Sequence, residues 1–142
     1  MSRVLTVNRY TRLSVLLLAA YWPLLLFLFH VPMAPQPPRE GIQPDKTVHF
    51  IAYGGLAFLF AWVCWPWGGG SESRNWTWLV KRVLLVFAAV CLHGLLDEWT
   101  QPLTGRAFDW YDLQADAIGA VLGLGAFVAL ATQPRLSHWT QW

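Results

Sequence analysis

Four apolar runs of about twenty residues each fill more than half of this 142-residue chain, at about Leu13–Phe29, Lys46–Trp65, Lys81–Trp99 and Trp110–Ala131. A helix rises about 1.5 Å per residue and the hydrocarbon core of a bilayer is about 30 Å thick, so each run is long enough for one crossing. None of them alternates polar and apolar residues as a strand would. Backbone groups in lipid must satisfy their own hydrogen bonds, so helices are the expected form. Composition agrees: 56% of residues are hydrophobic and 13% charged, against about 25% charged in soluble domains. Ten tryptophans suit a membrane–water boundary, where the ring is half apolar and half wet. The expectation is an all-α membrane protein, a four-helix transmembrane bundle forming one domain over residues 1–142.

Arg3, Arg9 and Arg12 precede the first run, as basic residues do in a signal peptide. That run exceeds the apolar region of about 7–15 residues typical of such peptides and no small-residue cleavage pattern follows it, so a retained helix, kinked at Pro23, is predicted. Residues 31–44 hold five of the nine prolines and cannot be helical throughout. Residues 66–80 include a Gly/Ser-rich stretch and read as a flexible turn, and residues 100–109 as a short polar hairpin. Arg3, Arg9, Arg12, Arg74, Lys81, Arg82 and Arg135 fall on one side of the spans, and Arg39, Lys46 and Arg106 on the other. This bias predicts that both termini are cytoplasmic. Cys64 and Cys91 lie inside apolar runs as small buried hydrophobes. No basic tract or zinc-finger spacing points to nucleic acid.

The ionisable residues concentrate in 45–53, DKTVHFIAY, and 97–119, DEWTQPLTGRAFDWYDLQADAIG. Both adjoin the same end of the spans. Asp45, His49 and Tyr53 stand at i, i+4 and i+8, on one helical face. An N-terminal charge, a snorkelling Lys46 and a core histidine bonded to a tyrosine would give the same spacing. The descent of the stripe into the membrane favours a site. On the third span His93 and Asp97 are i, i+4, and Glu98 and Gln101 are i, i+3. Adjacent acids at a span end suit proton transfer; the plainer reading leaves Asp97 in headgroup water and turns only Glu98 inward. Asp109, Asp112 and Asp116 share a face of the fourth span with Gly119 and Gly123, a GxxxG pattern that admits a neighbouring backbone. Arg106, in the hairpin, suits either a carboxylate or a phosphate through its planar fork.

In order and spacing these segments resemble the VanZ-like family of integral membrane proteins. Asp-Lys-x-x-His-Phe-x-x-Tyr stands at 45–53, Glu-x-x-Gln at 98–101, then Arg106, Asp109 and DLQADAIG at 112–119. The match covers about residues 45–125. Carried over, it marks Asp45, Lys46, His49, Tyr53, Glu98, Gln101, Arg106, Asp109, Asp112 and Asp116; Asp116 replaces an asparagine common in the family. The resemblance implies a bacterial inner-membrane protein of the cell envelope, in a family associated with teicoplanin (glycopeptide) resistance, and it does not imply a reaction.

Two functions follow from the residues. In the first, an extracytoplasmic polar pocket binds or modifies a lipid-linked or cell-wall-related ligand. His49 and Glu98 would form the acid–base pair, with Asp45, Lys46, Tyr53, Gln101, Arg106 and Asp109 binding the ligand. Asp112 and Asp116 would be the candidates for holding a divalent cation, since carboxylates suit Mg²⁺ and Mn²⁺. In the second, the same groups form a closed network, and the protein is a non-catalytic accessory or scaffold subunit of a larger membrane assembly. A transporter is a weaker third reading, because four short spans leave little room for a pathway. Membrane lipids, a lipid-linked ligand or a membrane-protein partner are the expected contacts.

Overall fold

The computed structural model describes residues 9–31, 44–65 and 75–133. The described residues form four helices and no strand: α1 (Arg9–His30), α2 (Pro44–Cys64), α3 (Trp76–Thr100) and α4 (Trp110–Ala131). Each is long and apolar enough to cross a membrane. The 22 residues of α1 span about 33 Å, and the helix runs unbroken through Pro23.

The bundle is apolar outside. Leu16, Phe27, Ile51, Leu85 and Leu122 are all well exposed, the arrangement of helices solvated by lipid. Trp76 at one end of the bundle, and Trp99 and Trp110 at the other, are also exposed, at the level where amphipathic rings meet headgroups.

The third helix begins five residues before the predicted Lys81. Asn75 caps it, its side chain accepting from the Thr77 N–H at 3.0 Å, the usual way an exposed first-turn donor is satisfied. Lys81 and Arg82 therefore lie in the second turn, not at the helix start. The Arg82 guanidinium donates to the Cys64 carbonyl and stacks 4.0 Å over the Trp78 ring. This lets a charge sit within an apolar helix. The segment between α3 and α4 is a 3₁₀ turn at Gln101–Thr104, closed by Gly105 in the left-handed region at φ 82°. It folds Arg106 back over the bundle end.

The closest packing is between α2 and α4. A Cβ at Gly119 would overlap the Phe50 carbonyl, and one at Gly123 the Gly54 carbonyl. The GxxxG face is thus in backbone contact with α2, which turns Asp112 and Asp116 on the same stripe toward His49. On the far side Tyr21 of α1 donates to the Ala52 carbonyl at 3.0 Å, and Phe29 is 2% exposed, fully within the core. Leu56, Val90, Leu124 and Phe127 fill the apolar half of the interior.

Candidate functional site

The C-terminal ends of α1 and α3 and the N-terminal ends of α2 and α4 meet at one level. From there a column of polar side chains descends to Tyr53, nine residues into α2, or about 13 Å at 1.5 Å per residue. Its members are buried: His49, Tyr53, Glu98 and Gln101 have no exposed surface, and Asp97, Asp112 and Asp116 almost none. Buried polar groups in such number need partners.

The outermost layer is made of ion pairs. Lys46 donates to Asp109 at 2.7 Å and to Asp112 at 2.9 Å, tying the start of α2 to the start of α4. Arg106 donates through Nη2 to both Asp45 oxygens at 3.3 Å, and through Nη1 to the Phe29 carbonyl at 3.3 Å. Asp109 caps α4, accepting from the Tyr111 N–H at 2.7 Å. Its own N–H donates to Glu98 at 3.0 Å. Partial burial would raise the Asp109 carboxyl pKa; the hydrogen bonds from Lys46 and the Tyr111 N–H, with the Lys46 charge, outweigh it and hold the group below the usual carboxylate range.

Beneath lies His49. Its Nδ1 is 2.9 Å from Asp116 Oδ1, and its Nε2 is 3.8 Å from Asp112 Oδ2, beyond hydrogen-bonding range. The Phe29 ring stacks on the imidazole with centroids 4.1 Å apart, so α1 closes the site from the side. Gly94 on α3 makes room for the acid: an added Cβ there would come within 3.0 Å of Asp116 Oδ2 and 3.2 Å of the Tyr53 ring. One oxygen each from Asp45 and Asp112 and one nitrogen of His49 lie within 4.8 Å of one another, a mixed nitrogen–oxygen donor set.

Glu98 is held by protein groups on both oxygens, Oε1 by Gln101 Nε2 at 2.7 Å and Oε2 by the Asp109 N–H. His49 therefore takes Asp116, not Glu98, as its hydrogen-bond partner. Glu98 couples the end of α3 to the start of α4.

The deepest layer joins α1, α2 and α3. Tyr53 donates to Asp97 Oδ2 at 3.3 Å and sits 3.1 Å from His93 Nδ1. Its one proton goes to the carboxylate, so it accepts from His93. His30 Nδ1 faces the Leu26 carbonyl at 2.8 Å, and its Nε2 is 2.9 Å from the Thr100 hydroxyl. That hydroxyl donates to the Leu96 carbonyl at 2.8 Å. Asp97 Oδ1 lies 3.4 Å from His30 Nδ1, so the histidine that closes α1 stands beside the buried acid of α3.

All ten residues marked by the sequence thus gather at one end of the bundle. Tyr53 meets Asp97 and His93 and is one layer below Asp112. The expectation that Asp97 stands in headgroup water does not hold: it is 2% exposed and sits at the centre of the deepest layer. His30 and Thr100 went unmarked. The only trace of His30 in the sequence is a lone histidine closing an apolar run, with no neighbour at helical spacing to signal a partner 70 positions away.

Five buried side-chain atoms have no hydrogen-bond partner among the described residues: His49 Nε2, His93 Nε2, Asp97 Oδ1, Gln101 Oε1 and Asp116 Oδ2. All five belong to the column. The network is therefore closed at its rim and around Glu98, and open within.

No curated protein and no solved structure gives a significant match to the chain. The family model described as VanZ/LLP1 matches residues 16–131, which takes in all four helices of the polar column except the first turns of α1, and this multi-pass membrane protein belongs to that family.

Proposed function

We propose that the polar column is a ligand site on the extracytoplasmic face of the bacterial inner membrane, and that it binds or modifies an anionic lipid-linked or cell-wall-related ligand. The observation that supports this is the set of five unpartnered buried atoms in the column. Each costs on the order of 1–3 kcal/mol if nothing pairs with it, which a purely structural network has no reason to carry. Lys46 and Arg106 at the rim are the cations an anionic headgroup would engage, by exchange with their carboxylate partners Asp109 and Asp45. The Arg106 contacts at 3.3 Å are long for charge-assisted bonds, so a phosphate has little to displace. His49, oriented by Asp116, is the imidazole that faces the ligand in this reading, with Glu98 as the positioning residue that holds Asp109 and Gln101.

The test is retention of a polyprenyl phosphate by the protein in nanodiscs, followed by native mass spectrometry, with diacylglycerol as the neutral control. Binding of the phosphate at least about tenfold tighter than diacylglycerol (about 1.4 kcal/mol) is expected, falling in Arg106→Lys, which keeps the charge and loses the fork. Equal retention of the two lipids would remove this reading. The scaffold reading is favoured by a different observation, the saturation of Glu98, Lys46 and Asp109 by internal partners. It predicts that Arg106→Lys changes nothing but melting temperature.

The orientation rests on charge. Arg12, Lys81 and Arg82 lie at the end opposite the column, whereas Lys46 and Arg106 are neutralised within it. The basic end opposite the column is the cytoplasmic one under the positive-inside rule. In a background with Cys64 and Cys91 replaced by alanine, a cysteine at Thr104 is expected to react with an impermeant thiol reagent in intact cells, and one at Ser73 is not. The reverse pattern would overturn the orientation.

A further inference from the structure

We infer that Asp45, His49 and Asp112 hold a divalent transition-metal ion, with Asp116 as the residue that aims the histidine. The inference rests on the ligand-site reading above and gives that site its cofactor class. Four observations carry it.

The donor atoms come first. One nitrogen of His49 and one oxygen from each of Asp45 and Asp112 lie within 4.8 Å of one another. Metal–donor bonds of about 2.1 Å place neighbouring donors about 3–3.5 Å apart, so the observed cluster closes onto an ion by small rotations of the two carboxylates.

The second is the histidine itself. His49 is fully buried, and its Nε2 has no hydrogen-bond partner among the described residues. Its nearest acidic atom is Asp112 Oδ2 at 3.8 Å, which is too far for an N–H···O bond and suited to a shared ion. A buried nitrogen without a partner among the described residues, beside a carboxylate, itself points to a ligand.

The third is what lies behind the ring. Asp116 Oδ1 accepts from His49 Nδ1 at 2.9 Å. A carboxylate on Nδ1 places the proton there and leaves Nε2, 3.8 Å from Asp112 Oδ2, with its lone pair free to ligate. This carboxylate–histidine arrangement is the one that orients metal-ligating imidazoles. It also separates the roles of the acids on α4: Asp112 is a ligand and Asp116 supports one.

The fourth is charge. Six carboxylates (Asp45, Asp97, Glu98, Asp109, Asp112 and Asp116) share this end of the bundle with two permanent cations, Lys46 and Arg106. The acids outnumber those cations in a site bounded by hydrocarbon, where uncompensated charge is costly. A divalent cation offsets two negative charges. One imidazole with two carboxylates suits Mn²⁺ or Zn²⁺ better than Mg²⁺, which prefers oxygen donors and water.

The experiment is Mn²⁺ titration of the full chain in phosphatidylcholine nanodiscs, followed by the loss of the free-ion electron paramagnetic resonance signal. One saturable site per chain is expected. Asp45→Asn, at the half-exposed rim, and His49→Gln are each expected to weaken binding at least tenfold. Asp116→Asn, which touches no metal, is expected to weaken it about 10–100-fold by loosening the ring. Thr132→Ala, at the opposite end of the bundle, leaves it unchanged. Arg106→Gln tightens it, because Asp45 loses its competing cation, an effect that a merely structural role for the cluster would not give. Absence of a saturable site in the wild type, or equal loss in Thr132→Ala and Asp45→Asn, would overturn the proposal. Saturable Mn²⁺ binding by a protein that retains no polyprenyl phosphate overturns the ligand reading and leaves the metal site standing. Phosphate retention without Mn²⁺ binding does the opposite.

Discussion

Replacing Gly119 or Gly123 by alanine is expected to destabilise the protein by about 3 kcal/mol or more each, at the upper end of the range for overpacked interiors. Glycine to alanine in a helix interior ordinarily stabilises by up to about 1 kcal/mol. Here the added methyl meets backbone, the carbonyl of Phe50 at position 119 and that of Gly54 at position 123. No rotamer change relieves a clash with a carbonyl inside a helix. The two helices must separate, and that draws Asp112 and Asp116 away from Lys46 and His49. Gly125 on the same helix is the internal control, since a methyl there has nothing within 4 Å; Gly125→Ala should melt at or slightly above the wild-type temperature. Thermal unfolding of the three variants in one detergent checks this. If all three melted together, the backbone-to-backbone packing of α2 and α4 would be wrong.

The second large effect is at His49 and Asp116, which are fully buried and bonded at 2.9 Å across 67 positions of sequence. Asp116→Leu leaves the imidazole Nδ1 without an acceptor, and His49→Leu leaves a buried carboxylate without its donor. Breaking one side of such a pair costs about 3–5 kcal/mol, whereas replacing both sides by apolar groups often costs little. The expected result is strong non-additivity. Each single variant should lose most of the protein's margin of stability, and the double variant should recover at least about 1 kcal/mol relative to the sum. A full double-mutant cycle measured by denaturant or thermal unfolding in nanodiscs gives the number. Additive losses would mean that the two side chains do not depend on each other, which would also remove the orienting role assigned to Asp116.

Both effects depend on how helix faces pair, and this is where sequence and structure part. The four crossings were legible because a run of apolar residues is a property of the chain alone: its length against the bilayer and its lack of internal charge decide it. The inward stripe of Asp45, His49 and Tyr53, and that of Asp109, Asp112 and Asp116, were legible for the same kind of reason, since a period of 3.6 puts such positions on one face wherever the helix sits. So was the meeting of the two motif segments at one end, because alternate crossings reverse direction and bring their charged ends together. Lys81 and Arg82 look in sequence like a membrane boundary, whereas α3 starts at Trp76. Only with Trp78 and Cys64 in place does Arg82 find partners inside the helix.

What spacing along one helix does not specify is the rotation of that helix against its neighbours, and the choice of partners follows from the rotation. His49 has Asp112, Asp116 and Glu98 all at the same end of the bundle. The close approach of Gly119 and Gly123 to α2 turns the first two toward it, while the 3₁₀ turn at Gln101–Thr104 brings Asp109 to Glu98. His30 enters the deepest layer only because α1 lies against α2 and α3, a contact with no local signature. Composition and periodicity therefore determined that the described residues form four helices long and apolar enough to cross a membrane, with the acids of residues 45 and 97–116 gathered at one end. Tertiary packing alone decided which acid holds the histidine, and left its other nitrogen 3.8 Å from Asp112, because long-range contacts are set by side-chain volume and backbone approach rather than by the spacing of residues within a helix.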